Sequence, residues 1–352
     1  MPAAPETPQI AIAERADVVP ADSADWRTFV LGHPDALPYH HPAWLEALAE
    51  AYRYEPQAVL LRGTEGNVLA GAPFVEVGGA LRARRWVSLP FTDACPPLTA
   101  EGVSAHDVFA AMEKAGAERG VRGIELRAAA AGLEELASTR GVVHELSLGD
   151  PDDLFRAFRS NVRRNIRKAE ASGIVVRAGE ERGQLTRVYY ALHADTRRRL
   201  GVPPQPHRFF EALWRCVVEP GLGFVLLAYR GDEAVAGAVF LAWNGRVVYK
   251  YGASDARHWA LRPNNLLFWE AIRRGHSSGA RVLDFGRTEL EDEGLRFFKA
   301  SWGAVEKPLA YTTIGKASGG GGAAGRVLRP FLRVAPPAVG CAVGSLFYRL
   351  AA

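Results

Sequence analysis

Cysteine is scarce in this 352-residue sequence: Cys95, Cys216 and Cys341 are odd in number, far apart and without metal-ligand spacing. A disulfide framework is thereby excluded, no metal centre is expected, and a reducing compartment is the simplest setting. Around Cys95 the segment FTDACPPL holds Asp93 but no histidine. The base that a cysteine nucleophile needs is missing there, so Cys95 reads as a structural loop residue. Long apolar runs are lacking too. The opening stretch MPAAPETPQIAIAERADVVP has an early acid, no basic region and no long apolar core, so neither a signal peptide nor a membrane anchor is expected and the chain is placed in the cytoplasm. The formal net charge of +4 is compatible with polyanions but too small to demand them.

In one place acid is locally scarce. Within SNVRRNIRKAEASGIVVR, residues 160–177, Arg163, Arg164, Arg167 and Lys168 crowd around the single acid Glu170. Leu154, Phe155, Phe158, Val162, Ile166 and Ala169 recur at helical spacing on the other face, Asp150 before Pro151 reads as a cap, and Gly173 as a left-handed stop. One helix from Asp152 to Ala171 is therefore predicted. Its basic face is either solvated surface or a site for an anion such as phosphate; like charges at helical spacing repel, which favours the site.

The chain also repeats itself. HPAWLEAL pairs with HRFFEAL, LRGTEGNVLAGAPF with YRGDEAVAGAVF, and EKAGAERGVRGIEL with IRRGHSSGARVLDF, three matches in the same order at nearly one offset. They bring Gly71 onto Gly237 and Glu125 onto Asp284. The reading is two copies of one unit (helix, β-hairpin, helix, strand) with a seam near residue 149. The expected domains are residues 10–148, residues 149–313, and a glycine-rich linker with a basic and apolar tail over 314–352. That tail is a candidate for peripheral contact with the inner face of a membrane, or for docking on the core.

Two motifs carry chemistry. VVYKYGASDARHWALRPNNLLFWEAIRRG reads as strand, loop and helix. In a GCN5-related acyltransferase (GNAT) this junction carries a glycine-rich turn whose amides hold the coenzyme A pyrophosphate. Here Arg262, Pro263, Asn264 and Asn265 stand in its place, and proline donates no amide. The second motif, GARVLDFGRTELEDEGLRFFKASWGAVEKPLAYTT, sets Asp284 at a strand's carboxyl edge and Lys299 behind two aromatics. Asp284 either serves a ligand site there or caps the next turn.

SNVRRNIRKAEASGIVV, LHADTRRRLGVPPQPHRFFEAL, YKYGASD and LDFGRTELEDEGLRFFKASWGA together resemble the FemABX peptidyltransferases and their relatives with a tandem GNAT fold. FTDACPPL and DFGRT are similar to FemAB-like proteins associated with exopolysaccharide export. The resemblance covers roughly residues 40–313 and implies an α/β fold of two tandem GNAT-type domains with mixed β-sheets plus a short C-terminal extension.

It further implies an acyltransferase that moves an aminoacyl group from aminoacyl-tRNA, as co-substrate, onto an amine of a phosphate-bearing envelope precursor. No tightly bound cofactor is expected. By the same resemblance Lys299 and Asp284 are the candidate catalytic residues. Arg163, Arg164, Arg167, Lys168, Arg199, Tyr249, Tyr251, Asn264, Asn265, Arg287 and Phe298 are the candidate substrate-binding residues. Gly286-Arg287-Thr288 departs from bridge-forming members, which more often show a second glycine there. An acyl-CoA-dependent N-acetyltransferase and a non-catalytic exopolysaccharide or envelope assembly protein are the alternatives.

Overall fold

The computed structural model describes residues 16–79, 82–130, 132–315 and the short pieces 330–334, 339–341 and 343–344. The first half runs β1 (Asp17–Pro20), α1 (Ala24–Gly32), α2 (Pro42–Tyr52), β2 (Gln57–Arg62), β3 (Val68–Gly79), β4 (Arg82–Val87), β5 (Leu98–Thr99), α3 (Ala105–Glu118), β6 (Gly123–Leu126) and β7 (Ala137–Ser147). After α4 (Pro151–Ala157) and α5 (Ser160–Ala171) come β8 (Ile174–Ala178), α6 (Tyr190–Leu200), α7 (His207–Leu213), β9 (Gly223–Arg230), β10 (Glu233–Trp243) and β11 (Arg246–Ser254). The series ends with α8 (Pro263–Ser277), β12 (Val282–Asp284), α9 (Glu293–Ala300) and β13 (Val305–Gly315).

The repeat read from sequence is visible in the pairing registers. Leu60 faces Gly71 between β2 and β3, as Leu227 faces Gly237 between β9 and β10. Strands β4 and β6 run parallel with Val87 opposite Glu125, as β11 and β12 do with Val248 opposite Asp284. The described strands form one sheet in the order β1-β2-β3-β4-β6-β13-β7-β12-β11-β10-β9-β8, with β5 pairing β3 off that path. Exchanging each strand for its counterpart reverses this order onto itself, with the pseudo-twofold between β13 and β7. Each repeat thus ends in a strand that pairs into the other: β7 lies against β12, and β13 against β6. The chain crosses from one repeat to the other within β7, ahead of the turn at Gly149.

One core spans the junction. Helix α2 packs on α7, where Phe209 meets Trp44 edge-on at 6.2 Å and stacks on Tyr52 at 5.7 Å. All three rings are buried. Arg215 clasps Glu46 and Glu50 across the same contact.

The helix predicted over Asp152–Ala171 is split. Asp150 caps α4 through the Asp152 and Asp153 amides, with Pro151 at the first position, as expected. Phe158 and Arg159 then leave helical geometry, because Phe158 is drawn between Trp302 at 5.0 Å and Trp269 at 5.9 Å. Burying that ring outweighs one helical turn. The tail lies mostly outside the described residues, as does the segment 1–15 on which the absence of a leader was read. Of the tail's described pieces, Leu332 is buried and the Tyr190 hydroxyl lies 3.3 Å from the Cys341 Sγ. No helix among the described residues is long and apolar enough to cross a membrane.

Exchanged strands and a shared core predict one cooperative unfolding transition for both halves. Phe209→Ala should cost about 3–5 kcal/mol and lower that single calorimetric transition; two resolved transitions would contradict a common core.

Candidate active site

The site grows out of a bulge. In β11, Tyr249 faces Phe240 while Tyr251 faces Val239, so Lys250 is the extra residue. A bulge turns the strand over. Tyr249 therefore packs on Phe268 on one side of the sheet, ring centroids 4.8 Å apart, whereas Tyr251 packs on Phe209 and His193 in the shared core. Burial lifts the Tyr249 hydroxyl to about 12. Its oxygen lies where a Cβ on Gly252 would stand, 1.7 Å away, so glycine at 252 makes room for the hydroxyl.

Where β11 gives way to α8, a cavity of about 430 Å³ opens, lined by Asn165, Tyr249, Trp259, Arg262 and Asn264 among others, with Lys299 also in its wall. Asn265 is 5 % exposed and its Nδ2 has no hydrogen-bond partner. The backbone at the mouth of α8 is poor in donors: Pro263 has none, and the Asn265 amide donates to the Arg262 carbonyl at 3.0 Å. Arg262 itself is left-handed, φ 63°.

Lys299 is 2 % exposed, and its Nζ donates to the Gly286 carbonyl at 2.7 Å and the Arg287 carbonyl at 3.3 Å. Desolvation pulls its ammonium down to about 8, against the pull of Asp284, Asp93 and Asp292. Asp284 accepts the Gly286 amide at 2.7 Å. Burial, reinforced by Asp93 and Glu145, pushes its carboxyl up to about 6, although the Gly286 amide and Lys299 act the other way. Asp284 lines a second cavity, of about 410 Å³, with Tyr39, Val248 and Glu145. The turn at Gly286 thus separates two cavities, with the amine of Lys299 on one side and a carboxyl on the other.

Behind this turn stands a buried ion pair that neither half makes alone. Lys250 Nζ lies 3.5 Å from Asp93 Oδ1, and Asp93 Oδ2 accepts the Tyr39 hydroxyl at 3.0 Å. The ammonium sits over the rings of Tyr39, Trp44 and Tyr251 at 5.1–5.7 Å, and burial lowers its pKa despite Asp93. Sequence reasoning placed neither Lys250 nor Asp93 in a site. Cys95, beside them, is buried with its thiol pushed up to about 12 by desolvation, which fits a structural residue.

The cavity brings together Tyr249, Asn264, Asn265, Arg287, Phe298 and Lys299. It does not include Tyr251. Arg199 lies 4.3 Å over Trp259 at its edge. On α5, at 100° per residue, Asn165 and Lys168 fall on one flank of the buried Val162–Ile166–Ala169 stripe, Arg163 and Arg167 on the other, and Arg164 opposite the stripe. Arg167 rests on Phe155 at 5.5 Å. Among the described residues, Glu233, Asp255 and His258 group their ligand atoms, but the Arg257 guanidinium holds Glu233 at 2.9 Å and Asp255 at 2.5 Å.

Residues 156–299 match the family described as Acetyltransferase (GNAT) domain. With the repeated element order, the fold is that of two tandem GNAT-type units, the second of which carries the matched residues. Among solved structures the chain is similar in fold to FemX, with a TM-score of 0.66 at 15% identity over 84% of this chain and 96% of that one. It is also similar to L-PGS from Bacillus licheniformis, with a TM-score of 0.57 at 11% identity over 90% and 99%. A third is the C-terminal domain of a provisionally named lysylphosphatidylglycerol synthetase from Agrobacterium fabrum, with a TM-score of 0.51 at 13% identity over 82% and 92%. No curated protein matches the sequence.

Two outcomes follow from the geometry. Gly252→Ala should displace the Tyr249 ring from its packing on Phe268, weaken ligand binding in the α8 cavity and lower the melting temperature, since the rigid ring as well as its hydroxyl meets the new Cβ. Asp284→Asn should stabilise the protein by roughly 2–3 kcal/mol at pH 8, with the gain shrinking as pH falls through about 6 toward 4, as expected for a carboxyl whose folded pKa is raised. Melts of wild type and variant across that range measure it.

Proposed function

We propose that the chain transfers an aminoacyl group from aminoacyl-tRNA onto an amine of a phosphate-bearing envelope precursor. The observation that carries this reading is the turn at Gly286, with Lys299 facing one cavity and Asp284 facing the other. A two-substrate transfer needs two approaches meeting at one wall. The amine attacks the ester carbonyl, a C–N bond forms and the C–O bond to the ribose breaks. Asp284, as carboxylate, takes the proton from nitrogen and returns it to the departing ribose oxygen; the Lys299 ammonium stabilises the charge that develops on the carbonyl oxygen. An aminoacyl ester is already reactive toward amines, so positioning is the larger share of the work.

Support against the coenzyme A alternative comes from the mouth of α8. Pro263 has no amide and the Asn265 amide is used within the chain, so the usual pyrophosphate cradle is depleted. Lys168, on the Asn165 flank of α5, and Arg164, on its outer face, supply cationic charge instead. The names of two neighbours, FemX and a lysylphosphatidylglycerol synthetase, are compatible with an aminoacyl donor.

The pure protein incubated with charged tRNAs and candidate amines should give an amide product by mass spectrometry, abolished by ribonuclease; ribonuclease-resistant turnover with acyl-CoA would replace this reading with the alternative. The rate should be bell-shaped in pH, rising as Asp284 ionises near 6 and falling as Lys299 loses its proton near 8. Lys299→Met should remove about 10²-fold or more of the rate. Arg164→Gln with Lys168→Gln should weaken substrate binding and flatten its salt dependence. Arg167→Gln, on the Phe155 flank, should do so much less.

A further inference from the structure

The rim of the α8 cavity is exceptional in charge and in polarity together. Four segments border it: residues 159–170, 195–199, 255–264 and 287–299. They hold thirteen basic and seven acidic residues, a net +6 against +4 for the whole chain. Their convergence is visible in the cavity wall, which takes Asn165, Trp259, Arg262, Leu295 and Lys299 from three of them. The fourth joins through Arg199, stacked on Trp259. Four of the seven acids are already engaged: Asp195 with Arg198, Asp255 with Arg257, Glu289 with Arg287, and Asp292 as the cap of α9.

Apolar side chains stand in water among these cations. Trp259 is 47 % exposed and Leu295 37 %, and both line the cavity. Phe297 is 56 % exposed with the Arg159 guanidinium 5.4 Å over its ring, and Leu200, next to Arg199, is 50 % exposed. Isolated exposed apolar residues are ordinary on a protein surface; two in the wall of one opening, with Phe297 and Leu200 on or next to the segments that border it and arginines interleaved, are not.

We infer that this rim docks on an anionic lipid surface, with Trp259, Leu295 and Phe297 entering the headgroup layer and Arg164, Lys168 and Arg262 meeting lipid phosphates. Apolar and aromatic side chains beside Lys and Arg are the composition of interfacial segments, where burial of the first and charge attraction of the second add. A nucleic acid would answer the charge but leave Leu295, Phe297 and Leu200 in water. Trp259, the ring on which a base could stack, already carries Arg199 on one face. The inference deepens the reading of the cavity as a substrate site: an opening pressed to a bilayer takes a substrate held there. The docking itself does not depend on turnover.

The test is sedimentation of the full-length protein with vesicles of phosphatidylcholine alone and of phosphatidylcholine mixed with phosphatidylglycerol, at low and high salt, with and without bulk tRNA. Leu295→Ser with Phe297→Ser, and the same pair with Trp259→Ser, are compared with Arg164→Gln/Lys168→Gln, each checked by its melting curve. Wild type should sediment only with the anionic vesicles. The apolar variants should lose about tenfold or more of that partition at either salt concentration, while the charge variant should lose most at low salt. The double serine variant touches neither the Trp259–Arg199 stack nor Lys299, so it keeps the test alive if the triple variant is unstable. Three results overturn the inference: no sedimentation that depends on phosphatidylglycerol, apolar variants that sediment like wild type, or binding that tRNA abolishes and the apolar substitutions leave alone, which makes a nucleic acid the occupant. Vesicle binding without transferase activity sinks the proposed reaction and leaves the docking standing; activity without vesicle binding does the reverse.

Discussion

The exchange of β7 and β13 is the constraint on which the rest depends. Strand β12 has only three residues and is held on both sides, by β11 of its own repeat and by β7 of the other. So short a strand would be a poor anchor at an open edge. Clamped between two partners it fixes Asp284, and the turn that follows is fixed from several directions. Gly286 sits at φ +70°, where a Cβ would come 2.7 Å from the Tyr249 carbonyl; only glycine suits both the angle and the space. Val142 of β7 bridges Thr288, and Lys299 binds the two carbonyls between. A strand from the first repeat therefore holds the turn that divides the α8 cavity from a cavity lined by both repeats.

The same junction collects buried charge, which a core built for stability alone would avoid. Asp284, Lys299, Asp93 and Lys250 all lie near it, and each bears a perturbed pKa or contributes to a neighbour's. The counterpart in the first repeat has gone another way. There Glu125 and Arg127 stand where the second repeat has Asp284 and Gly286. Arg127 lies 3.6 Å from Glu125 and covers Tyr311 of β13 at 5.3 Å. A large paired side chain takes the place of a glycine turn. The two halves share a fold, but the glycine turn beside Lys299 belongs to the second.

What the sequence disclosed was what repeats or what is local. The paired EAL helices, the hairpins with Gly71 and Gly237, and the Asp150–Pro151 cap are written in adjacent residues, and all stand in the structure. Strand exchange is not local: periodicity marks β7 and β13 as strands and is silent on which sheet receives them. The split between α4 and α5 was hidden because Phe158 fits the helical stripe as well as it fits the slot between two tryptophans. Tyr249 and Tyr251 share one strand face by alternation, and a bulge at Lys250 sends them to opposite sides. Lys250 and Asp93 are lone polar residues 157 positions apart, and nothing short of the fold brings them together.

The mouth of α8 differs from a glycine-rich turn in the hydrogen-bond donors it offers. A glycine-rich turn binds a diphosphate with fixed backbone dipoles, which demands a ligand of set shape. Here Pro263 removes one donor and Arg262 claims another, while Asn265 offers a buried amide with no partner. The cationic side chains in the cavity wall besides Lys299 are Arg262 and Arg287, charges on long side chains that can follow a ligand rather than mould it. Under the proposed reading, such a site gives up the selectivity of a backbone cradle and gains reach over a larger, more irregular phosphate-bearing molecule. The difference from a glycine-rich turn therefore lies in the residues of the β11–α8 junction, Arg262 to Asn265, while the strand and the helix on either side are kept.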